Sequence, residues 1–107
     1  MPILCHQSEI NEGESRGFST QELGNVFVVN KNQQFYAYKN QCPHLGIELE
    51  WQEHDFLDHQ ASLIQCSTHG ALFLIENGKC VAGPCLGQFL QPLKIVINVE
   101  GFILVTP

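Results

Sequence analysis

The chain has 107 residues, the size of one ordinary domain, and 44% apolar residues suffice for one core but leave no room for a second, catalytic domain. Eleven acidic residues against five Lys plus Arg give a net charge of -6, with no basic stripe to neutralise phosphates, so nucleic acid is excluded as an expected partner. The same acidic balance suits a face that meets a basic protein, because complementary potentials steer encounter.

The start, Met1-Pro2-Ile3-Leu4-Cys5-His6-Gln7, has neither the cationic opening nor the apolar run of an export signal. No stretch approaches the roughly 18 uninterrupted apolar residues of a membrane helix. The expectation is a single cytoplasmic domain over residues 1–107, off the membrane and monomeric. Five cysteines, an odd number, then read as reduced thiols and metal ligands rather than a disulfide framework.

In chain order, the possible helical content is one turn near Ser19 to Leu23. Val26 to Asn30 and Phe35 to Lys39 make a hairpin around Lys31-Asn32-Gln33-Gln34. Leu63 to Gln65 and Ala71 to Ile75 are strands flanking a loop at Cys66 to Gly70, with Glu76-Asn77-Gly78-Lys79 as the next turn. Pro92 to Val99 and Phe102 to Val105 pair around Glu100-Gly101. Short β-branched and aromatic runs between turn signals predict an all-β fold, a small sandwich or partly open barrel.

Two loops concentrate the chemistry: Cys42-Pro43-His44-Leu45-Gly46 and Cys66-Ser67-Thr68-His69-Gly70. Each offers one thiolate and one imidazole, spaced C-x-H in the first and C-x-x-H in the second. Such spacing keeps both donors at one end of a loop, and residues 45 to 65 are enough to bring the loops side by side. Together they make a pocket of two Cys and two His. The glycines after each His let the backbone pass close to a bulky inorganic group and aim N–H donors at it. The same four donors also satisfy tetrahedral zinc, although zinc pockets usually take C-x2-4-C or H-x3-5-H pairs from one loop.

On these two motifs the chain resembles the Rieske proteins, and within them the soluble ferredoxins that serve bacterial oxygenases. The resemblance runs from about Val26 to Val105. It implies a Rieske-like fold with a cluster-binding subdomain formed by two hairpin loops. It implies one 2Fe-2S cluster, with Cys42 and Cys66 on one iron and His44 and His69 on the other through Nδ1. A later Gly83-Pro84 turn would close over the cluster and limit water. Counting formal charge, two ferric ions, two sulfides and two thiolates sum to zero, whereas four thiolates would leave an anion that resists an added electron. Imidazole ligation therefore raises the potential, to about -150 to +300 mV in such centres.

High-potential relatives carry a Ser and a Tyr after the second loop and a disulfide between the loops. Here Ala71 and Phe73 occupy the first pair of positions, and Ile47 and Thr68 the second. The low end of the range is the expectation. The implied function is that of a one-electron carrier without bond chemistry of its own, taking electrons from a flavin-dependent reductase and passing them to a terminal oxygenase. A small subunit of a larger oxidoreductase, of the nitrite reductase type, is the alternative, and a structural zinc module a more distant one. Leu45, Ile47 and Leu86 would rim the docking face.

Cys5, Cys80 and Cys85 lack ligand partners at recognisable spacing and read as free thiols. A Cys80–Cys85 bridge is disfavoured in a reducing cytosol. His6 reads as a surface residue. His54-Asp55 and Asp58-His59 hold the residue types of a mononuclear iron site, but without a further domain they read as a solvated excursion.

Overall fold

Strand formation follows the alternation of side chains. In Val26-Phe27-Val28-Val29 every residue is excluded from water, which a strand achieves only when both of its faces are covered. The structure, a computed structural model, describes residues 3–41, 43, 56–58, 60, 62–66 and 70–107. Among these residues the strands are β1 (Ile3–His6), β2 (Ser15–Thr20), β3 (Gly24–Lys31), β4 (Gln34–Lys39), β5 (Leu63–Gln65), β6 (Leu72–Leu74), β7 (Cys80–Ala82), β8 (Pro92–Ile97) and β9 (Phe102–Thr106). The expected all-β class holds.

Six strands form one sheet in the order β1-β9-β8-β4-β3-β2, and three form a small sheet in the order β5-β6-β7. Every pairing is antiparallel. One face of β3 and β4 sends Val26, Val28 and Ala37 into a core shared with Ile10, Leu93, Ile103 and Val105. The other face sends Phe27, Val29 and Tyr38 into a second core, with Phe56, Ile64, Phe73 and Leu90. Two hinges of packing fix the small sheet there. The Phe27 and Phe56 rings stack at 4.3 Å between centroids, and the Tyr38 hydroxyl donates to the Ile75 carbonyl.

The three expected hairpins form, with limits shifted by one or two residues. The β3–β4 turn is Asn32-Gln33, both at positive φ (55° and 64°), as a two-residue turn of the mirror-image type requires. Neither residue is a glycine, and the compensation comes from Glu12. Its carboxylate accepts the Asn32 N–H at 2.8 Å and the Gln33 N–H at 2.9 Å. These two bonds hold the Glu12 carboxyl below its ordinary pKa.

The helical turn among the described residues is a 3-10 turn at Gln7–Glu9, not one at Ser19 to Leu23. Ser19 and Thr20 close β2 instead, and residues 21–23 turn into β3. Thr20 explains the difference: its Oγ1 accepts from the Leu23 N–H and donates to the Gly24 carbonyl, both at 2.9 Å. A hydroxyl that closes a turn in this way competes with helical bonding. His6 is likewise more than a surface residue. Its Nε2 lies 2.9 Å from the Glu100 carbonyl and its Nδ1 2.8 Å from Ser8 Oγ, and its ring meets Phe102 edge-on. A ring protonated on Nε2 satisfies both contacts and ties β1 to the β8–β9 turn.

Candidate functional site

Of the four expected ligands, Cys66 lies among the described residues; Cys42, His44 and His69 lie outside them. Cys66 directly follows β5, and its side chain is fully excluded from water. Its N–H donates to the Ala71 carbonyl and its carbonyl accepts from the Gly70 N–H, both at 2.8 Å. These bonds join Cys66 to Gly70 and Ala71 at the base of the second loop. The β5–β6 register, Ile64 against Phe73 and Gln65 against Leu72, continues directly into this closure. The first loop starts from an equally fixed base. Lys39 N–H donates to the Gln91 carbonyl at 3.0 Å and Asn40 N–H to the Asn25 carbonyl at 2.9 Å, two residues before Cys42.

Ala71 and Phe73, the positions that carry hydroxyls in high-potential relatives, are both completely buried. The surroundings they give the second loop are apolar. Cys66 also shares its core with Cys80 and Cys85. Cys66, directly after β5, supplies a soft thiol donor of the kind an iron–sulfur core or a soft metal takes, and its apolar surroundings hold no side chain that conflicts with such a group.

The Gly83-Pro84 turn packs against Ala71, the residue that closes the base of the second loop. Gly83 has φ +98°, and a Cβ added to it would lie 2.8 Å from the Ala71 Cα, so only glycine permits this approach. Beyond the turn, Leu86 is exposed at 67%, consistent with its expected place on a rim, whereas Leu45 and Ile47 lie outside the described residues. Sequence reasoning missed two further exposed apolar side chains on the same segment, Val81 and Phe89. Their signal was weak, since a single apolar residue in a strand reads equally well as core.

The polar excursion between the loops is structural where it is described. Asp58 Oδ1 accepts the Ser62 N–H at 2.9 Å and the Leu63 N–H at 3.2 Å, which caps the turn into β5. His54, Asp55 and His59 lie outside the described residues. Cys5, Cys80 and Cys85 are all buried. Burial pushes the Cys5 thiol up from its ordinary pKa, with Glu9 adding to the effect, as befits an inert core thiol.

The family model for the Rieske [2Fe-2S] domain matches residues 1–100. Among solved structures, the chain is similar to the ferredoxin of carbazole 1,9a-dioxygenase from Nocardioides aromaticivorans IC177, with a TM-score of 0.78 at 23% identity over 99% of this chain and 96% of that one. It is similar to a Sphingomonas yanoikuyae B1 ferredoxin, with a TM-score of 0.79 at 22% identity over 99% and 97% of the two chains. A third likeness is to the complex of reduced oxygenase and oxidized ferredoxin in carbazole 1,9a-dioxygenase, with a TM-score of 0.78 at 24% identity over 97% and 90%. These likenesses establish the fold. No curated protein matches the chain.

Proposed function

Because the chain belongs to the Rieske [2Fe-2S] domain family, we propose that it is a one-electron carrier, not an enzyme in itself, that delivers electrons to a terminal oxygenase. The observation that carries this reading is the family match over residues 1–100 of a chain holding one C-x-H and one C-x-x-H loop. When bound, the 2Fe-2S cluster supplies a reversible one-electron site. Cys42 and Cys66 are the proposed thiolate ligands, and His44 and His69 the proposed imidazole ligands.

The chain's own residues account for the rest of the task. The closure of Gly70 and Ala71 onto Cys66 fixes one donor before any metal arrives, which reduces reorganisation around it. Ala71, Phe73 and Ile64 keep water from that side. Apolar Ala71 and Phe73 offer no hydroxyl donor, which supports a potential at the low end of the range of about -150 to +300 mV. Leu86, Val81 and Phe89 put exposed apolar surface on the segment that follows β6, suited to a transient docking face in an otherwise acidic molecule.

Solved likenesses that include an oxygenase–ferredoxin complex support the oxygenase as acceptor, and a low potential supports a flavin-dependent reductase as donor. Likeness to solved ferredoxins supports a carrier over a small subunit of a nitrite reductase-like enzyme. Localisation in the cytoplasm is part of the same proposal; among the described residues no helix is long and apolar enough to cross a membrane.

The test is an electron paramagnetic resonance spectrum of the dithionite-reduced protein, with parallel spectra of His44→Ala and His69→Ala. A low average g value in the parent, lost with the visible colour in either variant, is the expected result. A parent spectrum typical of all-cysteine ligation, or variants that keep the parent signal, would overturn the ligand assignment.

A further inference from the structure

The function described above leaves one pair of nucleophilic side chains unused. Cys80 opens β7, and Cys85 lies beyond the Gly83-Pro84 turn. Their sulfurs are 3.1 Å apart, too far for a covalent bond of about 2.05 Å yet close enough for a sulfur–sulfur hydrogen bond. The segment between them is stapled at its base. Cys80 N–H donates to the Gln88 carbonyl at 2.7 Å, Gly87 N–H to the Cys80 carbonyl at 3.1 Å, and Gln88 N–H to the Cys85 carbonyl at 2.9 Å. Cys80 Sγ also donates to the Ala82 carbonyl at 3.1 Å. The two sulfurs are therefore held face to face by backbone bonds that do not depend on them.

We propose that Cys80 and Cys85 form a reversible dithiol–disulfide site, whose reactant class is the low-molecular-weight disulfides. Both sulfurs are buried, but Gly83, Pro84, Leu86 and Gly87 are exposed on either side of Cys85. A local opening of this short segment presents Cys85 first. Its thiolate attacks one sulfur of the small disulfide, that S–S bond breaks, and one small thiol leaves with the proton lost by Cys85. The Cys80 sulfur then displaces the second small thiol from the mixed disulfide and gives up its own proton. In sum, two protein thiols and one small disulfide become one Cys80–Cys85 bond and two small thiols. The second step is intramolecular, so the mixed disulfide does not accumulate.

The location gives the site a consequence. Gly83, between the two cysteines, rests against the backbone of Ala71, whose carbonyl holds the Cys66 N–H. Joining Cys80 to Cys85 stiffens the piece of chain that leans on the second loop, and so couples its packing to the thiol–disulfide state of the surroundings.

Trypsin makes the test direct. Cleavage after Lys79 and Lys94 releases residues 80–94 with Cys80 and Cys85, while residues 40–79 carry Cys42 and Cys66, and residues 1–16 carry Cys5. The intact, coloured protein is equilibrated in glutathione buffers of increasing oxidised fraction, quenched in acid, alkylated and digested. The expected result is that peptide 80–94 loses two hydrogens and escapes alkylation, ahead of any change at Cys5 by about a hundredfold in buffer ratio or more. Dithiothreitol restores it, and the visible spectrum persists. Two alkyl groups on peptide 80–94 throughout, or a glutathione adduct that stays on either cysteine, would overturn the proposal. Failure of the cluster assignment would register elsewhere, in the colour and in peptide 40–79.

Discussion

Gly83→Ala probes the contact between the Gly83-Pro84 turn and the second loop, and Gly87→Ala supplies its control. Both glycines have positive φ, +98° and +86°, so either alanine pays backbone strain of about 1–3 kcal/mol. They differ in what the new methyl group meets. At Gly87 nothing lies within 4 Å, whereas at Gly83 the Cβ would sit 2.8 Å from the Ala71 Cα and 3.3 Å from its N. Those are backbone atoms that cannot rotate aside, and overpacking of this kind costs a further ~1–3 kcal/mol. At about 4–8 °C per kcal/mol for a domain near this size, Gly83→Ala should melt at least 4 °C or so below Gly87→Ala. Far-ultraviolet circular dichroism at one scan rate gives the two midpoints, and visible absorbance in the same scans reports loss of colour. Because the pressure falls on Ala71, bleaching should come earlier in Gly83→Ala than in Gly87→Ala. Equal midpoints for the two variants would refute the claim that this turn bears directly on the loop.

Further outcomes follow from the rest of the fold. Glu12→Gln should remove a pH-dependent part of hairpin stability. The depressed carboxyl contributes above its ordinary pKa of 4.5, and the contribution fades as pH falls through the lower folded value. Urea midpoints of parent and variant should therefore differ at neutral pH and converge in acid. Gln33→Gly should stabilise the protein by roughly 0.5–1 kcal/mol, since strain at φ 64° is relieved at some cost in unfolded-chain entropy; a loss in chemical denaturation would count against the turn assignment. Tyr38→Phe leaves the buried Ile75 carbonyl without its hydroxyl donor and should cost ~1–3 kcal/mol in the same assay. Burial, with Tyr36 and Glu76 adding to it, pushes the Tyr38 hydroxyl up from its ordinary value of 10.0. The parent should then lose stability as pH rises beyond that value, where the unfolded chain ionises first, and Tyr38→Phe should lack that part of the decline.

The legibility of this chain varied with the kind of signal. Spacing made the two loops visible, because a ligand pair within three or four residues has few other uses. Hairpins with strong β formers and short polar turns were equally plain. The edge strands were not: Ser15–Thr20 is partly covered along most of its length, so no alternation of apolar and polar residues marks it. Ile3–His6 pairs with a strand nearly a hundred residues away, and its register shifts between Ile3 and Cys5. Cys80–Ala82 is too short for any pattern. The role of Glu12 was hidden for a related reason, since the N–H groups it accepts lie some twenty residues ahead and turn toward it only after β3 and β4 have paired. Spacing across the Gly83-Pro84 turn raises a Cys80–Cys85 pair, but that the two sulfurs face each other comes from the three-dimensional closure of residues 80–88.

The run Val26–Val29 is a party wall between two rooms. Its occupants on one side come from the six-stranded sheet and the segment that leads into it, and on the other from the small sheet that presents Cys66. Neither room can be emptied without stripping plaster from the other: damage to the six-stranded side should drain colour from a distance, and a domain cut down to its small sheet would have nothing to lean on.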